Sequence, residues 1–245
     1  MQTPATIPDY VRLDGVVPVV YRRGMEELAS EARRLLETGA AALSEMLGGE
    51  PPGLEAFLVA DESWDEAPRE RARAYPPGLP YFTRSVRPPA LVLPTTLSPI
   101  FRPRTRATSP LVVWHELAHA FLLQREVVRV PAWLRELVPQ AASAAVARRA
   151  DLPLGEHLGR IDREPGSTVR SFGGRLDAYE QMAFQNLLLL LGAAAVQEFG
   201  DGFLGRLVRA LWEETEVVDE DRAEELLTGA LRPRGREWLV SRPEF

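Results

Sequence analysis

The feature that most limits what this chain can fold into is the apolar run Val112–Phe121, which carries two of its three histidines. His115 and His119 are four residues apart, and on a helix this spacing places two side chains on one face, one turn apart. Two imidazoles so placed can both reach one metal ion, at about 2.0–2.1 Å if the ion is zinc. Glu116 lies to the side of the pair, where a carboxylate can hold a metal-bound water without ligating the metal. The run therefore predicts a helix that carries a metal site.

The residues around the two histidines strengthen this prediction. No charge occurs at Val112, Val113, Leu117, Ala118 or Ala120. A buried helix requires this because an unpaired charge in its wall is costly. The arrangement is the His-Glu-x-x-His pattern found in zinc peptidases. The alternative is a helix with two incidental histidines.

The composition limits which metal ligands and which partners the chain can have. The chain has no cysteine, so a metal must be held by nitrogen and oxygen ligands, without thiolates. Its net charge of −6 argues against a nucleic-acid partner. The longest apolar run, Leu187–Val196, is too short to span a bilayer, and the first ten residues lack the features of a signal peptide. We therefore expect no membrane span and a cytoplasmic location, although a chain from which a signal peptide had been removed would look the same.

The order of the predicted elements indicates an α+β fold, because strands come first and helices follow. Residues 15–21 and 54–59 read as strands around a helix over 25–47, and Ala90–Pro94 is expected to pair with Pro80–Arg84 as a hairpin. Pro110 opens the metal helix after Ser109, a good N-cap. Further helices are expected within 131–150, 176–199, 202–214 and 219–227, with a loop-rich stretch over 151–174. Arg102, Arg104 and Arg106 could clamp an acidic substrate group, although a solvated loop is the simpler interpretation.

A catalytic zinc needs a third protein ligand, and the nearest pattern for one fails. In the extended histidine motif a glycine and a third histidine follow, but Leu122 and Arg125 stand at those positions. His157 is the only other histidine and is better explained as a surface residue. Glu136 is the stronger candidate because it lies 17 residues after His119, on a segment that Pro131 opens.

These two segments together resemble a known family. His115-Glu-Leu-Ala-His119 followed by Pro131-Ala-Trp-Leu-Arg-Glu136 is similar to the gluzincin zinc metallopeptidases, the thermolysin-like group, and most to the minimal "peptidase MA-like" domains. The resemblance implies one zinc per chain, with His115, His119 and Glu136 as ligands and Glu116 as general base. It also implies a single zincin-like domain over 1–245, with a small mixed sheet in an α/β subdomain (1–108), a helical subdomain (109–245) and an active-site cleft between them.

The resemblance extends more weakly to a tyrosine that opens a long helix. Tyr179, in Asp177-Ala-Tyr-Glu-Gln, occupies that place and is our candidate for stabilising the oxyanion, and a core tyrosine is the alternative. Gln140 is a candidate partner for a histidine N–H. Two residues depart from the family pattern: Leu137 replaces a glycine, and Pro139 predicts a kink or a restart of the helix.

The expected function is hydrolysis of a peptide or protein substrate, with Glu116 taking the proton of a water whose pKa zinc lowers to about 7. Ala90–Pro94 is expected to offer a strand edge to an extended substrate. Two alternatives stay open. One is a catalytically silent gluzincin-like domain that binds zinc or a protein partner, for which Leu137 and Pro139 are the only sequence support. The other is a regulatory protease that cuts a repressor in the cytosol.

Overall fold

The computed structural model of the chain describes residues 9–70, 78–95, 108–173 and 176–245. The three arginines of the predicted loop, Arg102, Arg104 and Arg106, lie outside the described residues, as does the predicted N-cap side chain of Ser109.

The described strands form one mixed sheet of five, in the order β1-β2-β3-β5-β4. The three inner strands β2, β3 and β5 run parallel, and β1 and β4 are antiparallel to their neighbours at the two edges. The strands are Tyr10–Leu13 (β1), Val19–Arg22 (β2), Glu55–Val59 (β3), Tyr81–Thr83 (β4) and Ala90–Pro94 (β5). The predicted hairpin is confirmed as the β4–β5 pair.

The position of β5 in the sheet corrects one prediction. Its five residues are all buried, and it pairs with β3 on one side and β4 on the other. Ala90–Pro94 therefore has no free edge to offer to a substrate, and the prediction of strand addition there is wrong. On that side of the sheet the edge strand among the described residues is β4.

Eight helices lie in the described part of the chain. They are Glu26–Leu47 (α1), Thr108–Leu122 (α2), Ala132–Arg149 (α3), Leu154–Leu158 (α4), Ala178–Phe199 (α5), Gly202–Glu213 (α6), Glu220–Ala230 (α7) and Gly235–Val240 (α8). Two 3-10 turns cover Asp61–Glu66 and Val169–Ser171. The helix α4 lies within the stretch 151–174 that was expected to be rich in loops.

The described residues fall into two compact units. The first takes those up to 44 and from 49 to 121, and the second takes 45–48 and 122–245. The first unit contains the sheet and α2, and the second contains the helices from α3 onward. The single zincin-like domain and its two subdomains, 1–108 and 109–245, stay predictions.

In the first unit, α2 is held against α1 by a tryptophan. Trp114 is 1% exposed, and its Nε1 donates a hydrogen bond of 2.9 Å to the carbonyl oxygen of Leu35. Gly39, one turn further along α1, makes room for the ring, because a Cβ there would lie 2.4 Å from Trp114 Cδ1. The residue that precedes His115 in the chain is therefore fixed to α1 by a hydrogen bond and by close packing.

In the second unit, α3 and α5 approach each other closely. A Cβ on Gly192 would lie 2.8 Å from the Cα of Ala141, so the small residues let the two backbones come together. Arg148 donates to the carbonyl oxygen of Val196 at 3.1 Å. Contacts further along α3 are made with residues further along α5, so the two helices run in the same direction. This packing accounts for the many apolar residues along α5.

Among the described residues one helix, Tyr179–Phe199 within α5, is long and apolar enough to cross a membrane by length and composition. Its close packing on α3 is that of a core helix.

The helix α3 also corrects the expectation for Pro139. It continues through this residue as one helix of 18 residues, so it does not restart there. Pro139 and Leu137 are both buried, and Leu137 is 2% exposed. The two departures from the family pattern therefore belong to the core of the second unit.

Candidate metal centre

The two histidines of α2 face each other closely. Their Nε2 atoms are 3.2 Å apart, and their rings meet edge to face with centroids 4.8 Å apart. His115 is 8% exposed and His119 is partly buried. Helical spacing therefore brings the two ring nitrogens together as predicted.

Glu136 provides a carboxylate in the first turns of α3. This helix begins after Pro131, whose fixed φ suits a helix start, and Trp133 and Leu134 bury its first turn. The Trp133 Nε1 donates to Glu220 Oε2 at 2.6 Å, which ties the start of α3 to α7. The Glu136 side chain is 16% exposed.

His115, His119 and Glu136 form a group that could hold a metal ion. Each offers one ligand atom, and these atoms all lie within 4.8 Å of one another. This is the set of three residues that the sequence and the resemblance predicted.

The donor set suits zinc, and so does the spacing of the two histidines. Two imidazoles and a carboxylate are ligands that zinc accepts at about 2.0–2.2 Å, with a tetrahedral arrangement. Two ligand atoms on such an ion stand about 3.4 Å apart, which follows from those bond lengths and the tetrahedral angle. The 3.2 Å between the two Nε2 atoms is close to this value.

Glu116, which the sequence analysis assigned as a general base, lies on α2 next to His115. It is partly buried on α2. One residue corresponds to about 100° around an α-helix, so Glu116 leaves the helix to the side of His115 and His119. A carboxylate beside the ligands is suited to accept a proton from a water at the metal centre.

Two glutamines, Gln140 and Gln185, form a chain of hydrogen bonds that ends at Glu136, and the sequence analysis pointed to only one of them. Gln185 of α5 donates through Nε2 to Glu136 Oε2 at 3.1 Å, and its Oε1 accepts from Gln140 Nε2 at 2.6 Å. The sequence proposed Gln140 as a partner of a histidine, but its side-chain partner is Gln185. Gln185 itself was missed, although a polar residue before the leucine run of α5 was a signal for it.

Tyr179 and His157 lie in different surroundings. Tyr179 is in the first turn of α5 and is 65% exposed, so the alternative of a core tyrosine is wrong. Its backbone N–H is capped by the Asp177 carboxylate at 2.8 Å. His157 lies on α4, where partial burial, with a smaller effect from Arg160, lowers its pKa. The group of possible ligands found among the described residues does not include it.

The fold has a known counterpart. The structure of yeast LTA4 hydrolase in complex with bestatin matches 95% of this chain with a TM-score of 0.57 and 14% sequence identity. The chain spans 38% of the length of that protein. At this level of sequence identity the likeness is one of fold alone. No protein-family model matches the sequence, and no curated protein matches it either.

Proposed function

We propose that this chain is a zinc-dependent peptidase of the gluzincin type. The observation that carries the proposal is the group formed by His115, His119 and Glu136, whose ligand atoms lie within 4.8 Å of one another. The fold shared with yeast LTA4 hydrolase supports it from an independent direction. Leu137 and Pro139, the only sequence support for a silent domain, are both buried.

In this proposal three residues hold the metal and a fourth moves the proton. His115, His119 and Glu136 would hold the metal ion. Bound zinc would supply Lewis-acid polarisation of a water and of the substrate carbonyl. Glu116 orients the attacking water, accepts its proton and passes it to the leaving amine. The hydroxyl of Tyr179 donates a hydrogen bond to the oxygen that becomes negatively charged.

The experiment that tests the proposal separates metal binding from hydrolysis. We expect one zinc per wild-type chain by elemental analysis, and cleavage within a library of unstructured peptides that is lost with a chelator. Glu116→Gln is nearly isosteric and keeps all three ligands. We expect it to retain the zinc and to lose at least about 100-fold in hydrolysis rate, the range that general-base catalysis supplies.

Two variants serve as controls. Glu136→Ala should lose zinc and activity together, since it removes a ligand. Glu126→Gln changes an exposed glutamate beyond the end of α2 and should alter neither. Hydrolysis by Glu116→Gln at the wild-type rate would refute the assigned base. A chain that binds zinc but cleaves no peptide in the library would instead favour the silent zinc-binding domain.

A further inference from the structure

We propose that Gln185, itself held by Gln140, is a positioning residue that fixes the carboxylate of Glu136 for the metal ion. This inference deepens the proposed function and rests on it. The three side chains form a continuous line, in which Gln140 Nε2 donates to Gln185 Oε1 at 2.6 Å and Gln185 Nε2 donates to Glu136 Oε2 at 3.1 Å. Of these three side chains, only Glu136 is a proposed metal ligand.

The direction of the line follows from chemistry. A carboxylate that ligates a metal is ionised and only accepts hydrogen bonds, so Gln185 must turn its NH2 group toward Glu136. Its amide oxygen then faces Gln140, which must present an NH2 group in turn. The same assignment of both amides therefore satisfies both hydrogen bonds. The two amide dipoles are aligned with their positive ends toward the carboxylate, which stabilises its charge.

Helix packing places the three side chains. Gln140 lies four residues after Glu136 and so one turn away on the same face of α3. Gln185 reaches both from α5, which is brought close by the contact of Gly192 with Ala141. Gln140 and Gln185 are each partly buried, so water competes less for these hydrogen bonds than at the surface.

Arg135 also approaches the carboxylate of Glu136, but this contact is weaker. Arg135 Nε stands 3.5 Å from Glu136 Oε1, but the arginine side chain is 56% exposed. An exposed ion pair of this kind contributes little, because solvent screens it and the side chain is free to leave. Of these two contacts, the hydrogen bond from Gln185 is the better suited to orient the carboxylate. A partner that orients a metal ligand typically changes metal affinity by about 10- to 100-fold.

The first test is the zinc affinity of Gln185→Met, measured in competition with a chromophoric chelator. Methionine keeps the length of the side chain but cannot donate, so we expect zinc to bind about 10- to 100-fold more weakly. Gln181→Met is the matched control, because Gln181 lies one turn earlier on α5 and is exposed. We expect it to bind zinc as the wild type does. Thermal unfolding with excess chelator verifies that both variants are folded.

The second test changes Gln140 to examine which group donates and which accepts in the two hydrogen bonds. Gln140→Met removes the donor to Gln185 but leaves the Gln185 amide able to face Glu136, so we expect a smaller loss of zinc affinity. Gln140→Glu is nearly isosteric, yet its carboxylate draws the Gln185 NH2 group away and turns the amide oxygen toward Glu136. We expect Gln140→Glu to weaken zinc binding more than Gln140→Met. A role in packing alone would leave Gln140→Glu close to the wild type.

Cobalt substitution adds a spectroscopic measurement, since the visible bands of bound Co²⁺ report its coordination geometry. We expect Gln185→Met to change these bands and Gln181→Met to leave them unchanged. Wild-type zinc affinity in Gln185→Met overturns this inference alone. A wild-type chain that binds no zinc overturns the proposed function as well, and a zinc-binding chain without peptidase activity overturns only the proposed function.

Discussion

The exposed hydroxyl of Tyr179 is available to a substrate, since 65% of the residue is open to solvent. If it donates to the developing oxyanion, Tyr179→Phe removes one hydrogen bond that is made most strongly in the transition state. We expect kcat to fall by about 100- to 1000-fold, the usual effect of losing an oxyanion donor. Zinc content should not change, because the tyrosine is not among the ligands. Steady-state kinetics on a cleaved peptide, with elemental analysis of the same sample, would measure both.

Tyr81→Phe is the matched control for this variant. The Tyr81 hydroxyl donates to the carbonyl oxygen of Pro68 at 2.9 Å, and the residue is buried. Its loss should lower the free energy of unfolding by about 0.5–1.5 kcal/mol and leave kcat unchanged. An unchanged kcat in Tyr179→Phe would remove Tyr179 from the mechanism and leave the oxyanion donor to be found elsewhere.

The sequence identifies some residues of the candidate site more readily than others. His115 and His119 were predictable because one helix fixes their spacing. Glu136 is on another helix, so helical spacing does not identify it, and it was found from the segment that Pro131 opens together with the resemblance to a family. Gln185 lies 49 residues beyond Glu136, and the contact depends on how α3 and α5 pack. Sequence periodicity does not specify that packing.

Among the helices, α1 and α2 depend on each other through Gly39. A Cβ at this position would lie 2.4 Å from Trp114 Cδ1 and 3.2 Å from Leu117 Cδ2. Gly39→Ala must therefore displace a buried ring and strain its hydrogen bond to Leu35. We expect a loss of about 1–3 kcal/mol in stability, typical of an overpacked core. Zinc should also bind more weakly, because His115 follows Trp114 directly. Urea unfolding and chelator competition measure the two effects.

Gly229→Ala, in α7, is the control for Gly39→Ala. Nothing lies within 4 Å of a Cβ at that helical glycine, so alanine meets no obstacle there. Its higher helix propensity should raise stability by up to about 1 kcal/mol without affecting zinc. If Gly39→Ala were as stable as the wild type, the close approach of α1 to α2 would be wrong.

The elements themselves were predicted with uneven success. The helices α1, α2, α5 and α6 have strong apolar periodicity or length, and the turn-rich segment before Ala90 favoured the hairpin. The strand β1 was missed because it has four residues and only a weak alternation of apolar side chains. Pro139 was expected to kink α3 or to restart it, and the helix continues through this residue without a restart.

For the whole molecule, zinc and folding should be thermodynamically linked. An ion that binds the folded chain and not the unfolded one stabilises it by RT ln(1 + [L]/Kd), or about 2.7 kcal/mol when zinc is at 100 times its Kd. We expect the thermal midpoint of the chelated chain to rise as zinc is added. Glu116→Gln should show the full rise because it keeps the ligands, and His115→Ala should show almost none.

The same titration tests which metal the site prefers. A set of two imidazoles and one carboxylate suits zinc and related transition metals, whereas calcium and magnesium prefer sites made of oxygen ligands. We therefore expect Ca²⁺ or Mg²⁺ at the same concentration to leave the thermal midpoint of the chelated chain unchanged. An equal rise with Mg²⁺, or a full rise with zinc in His115→Ala, would mean that the stabilising ion binds elsewhere. Either result would show that the ion does not stabilise the chain by binding to His115, His119 and Glu136.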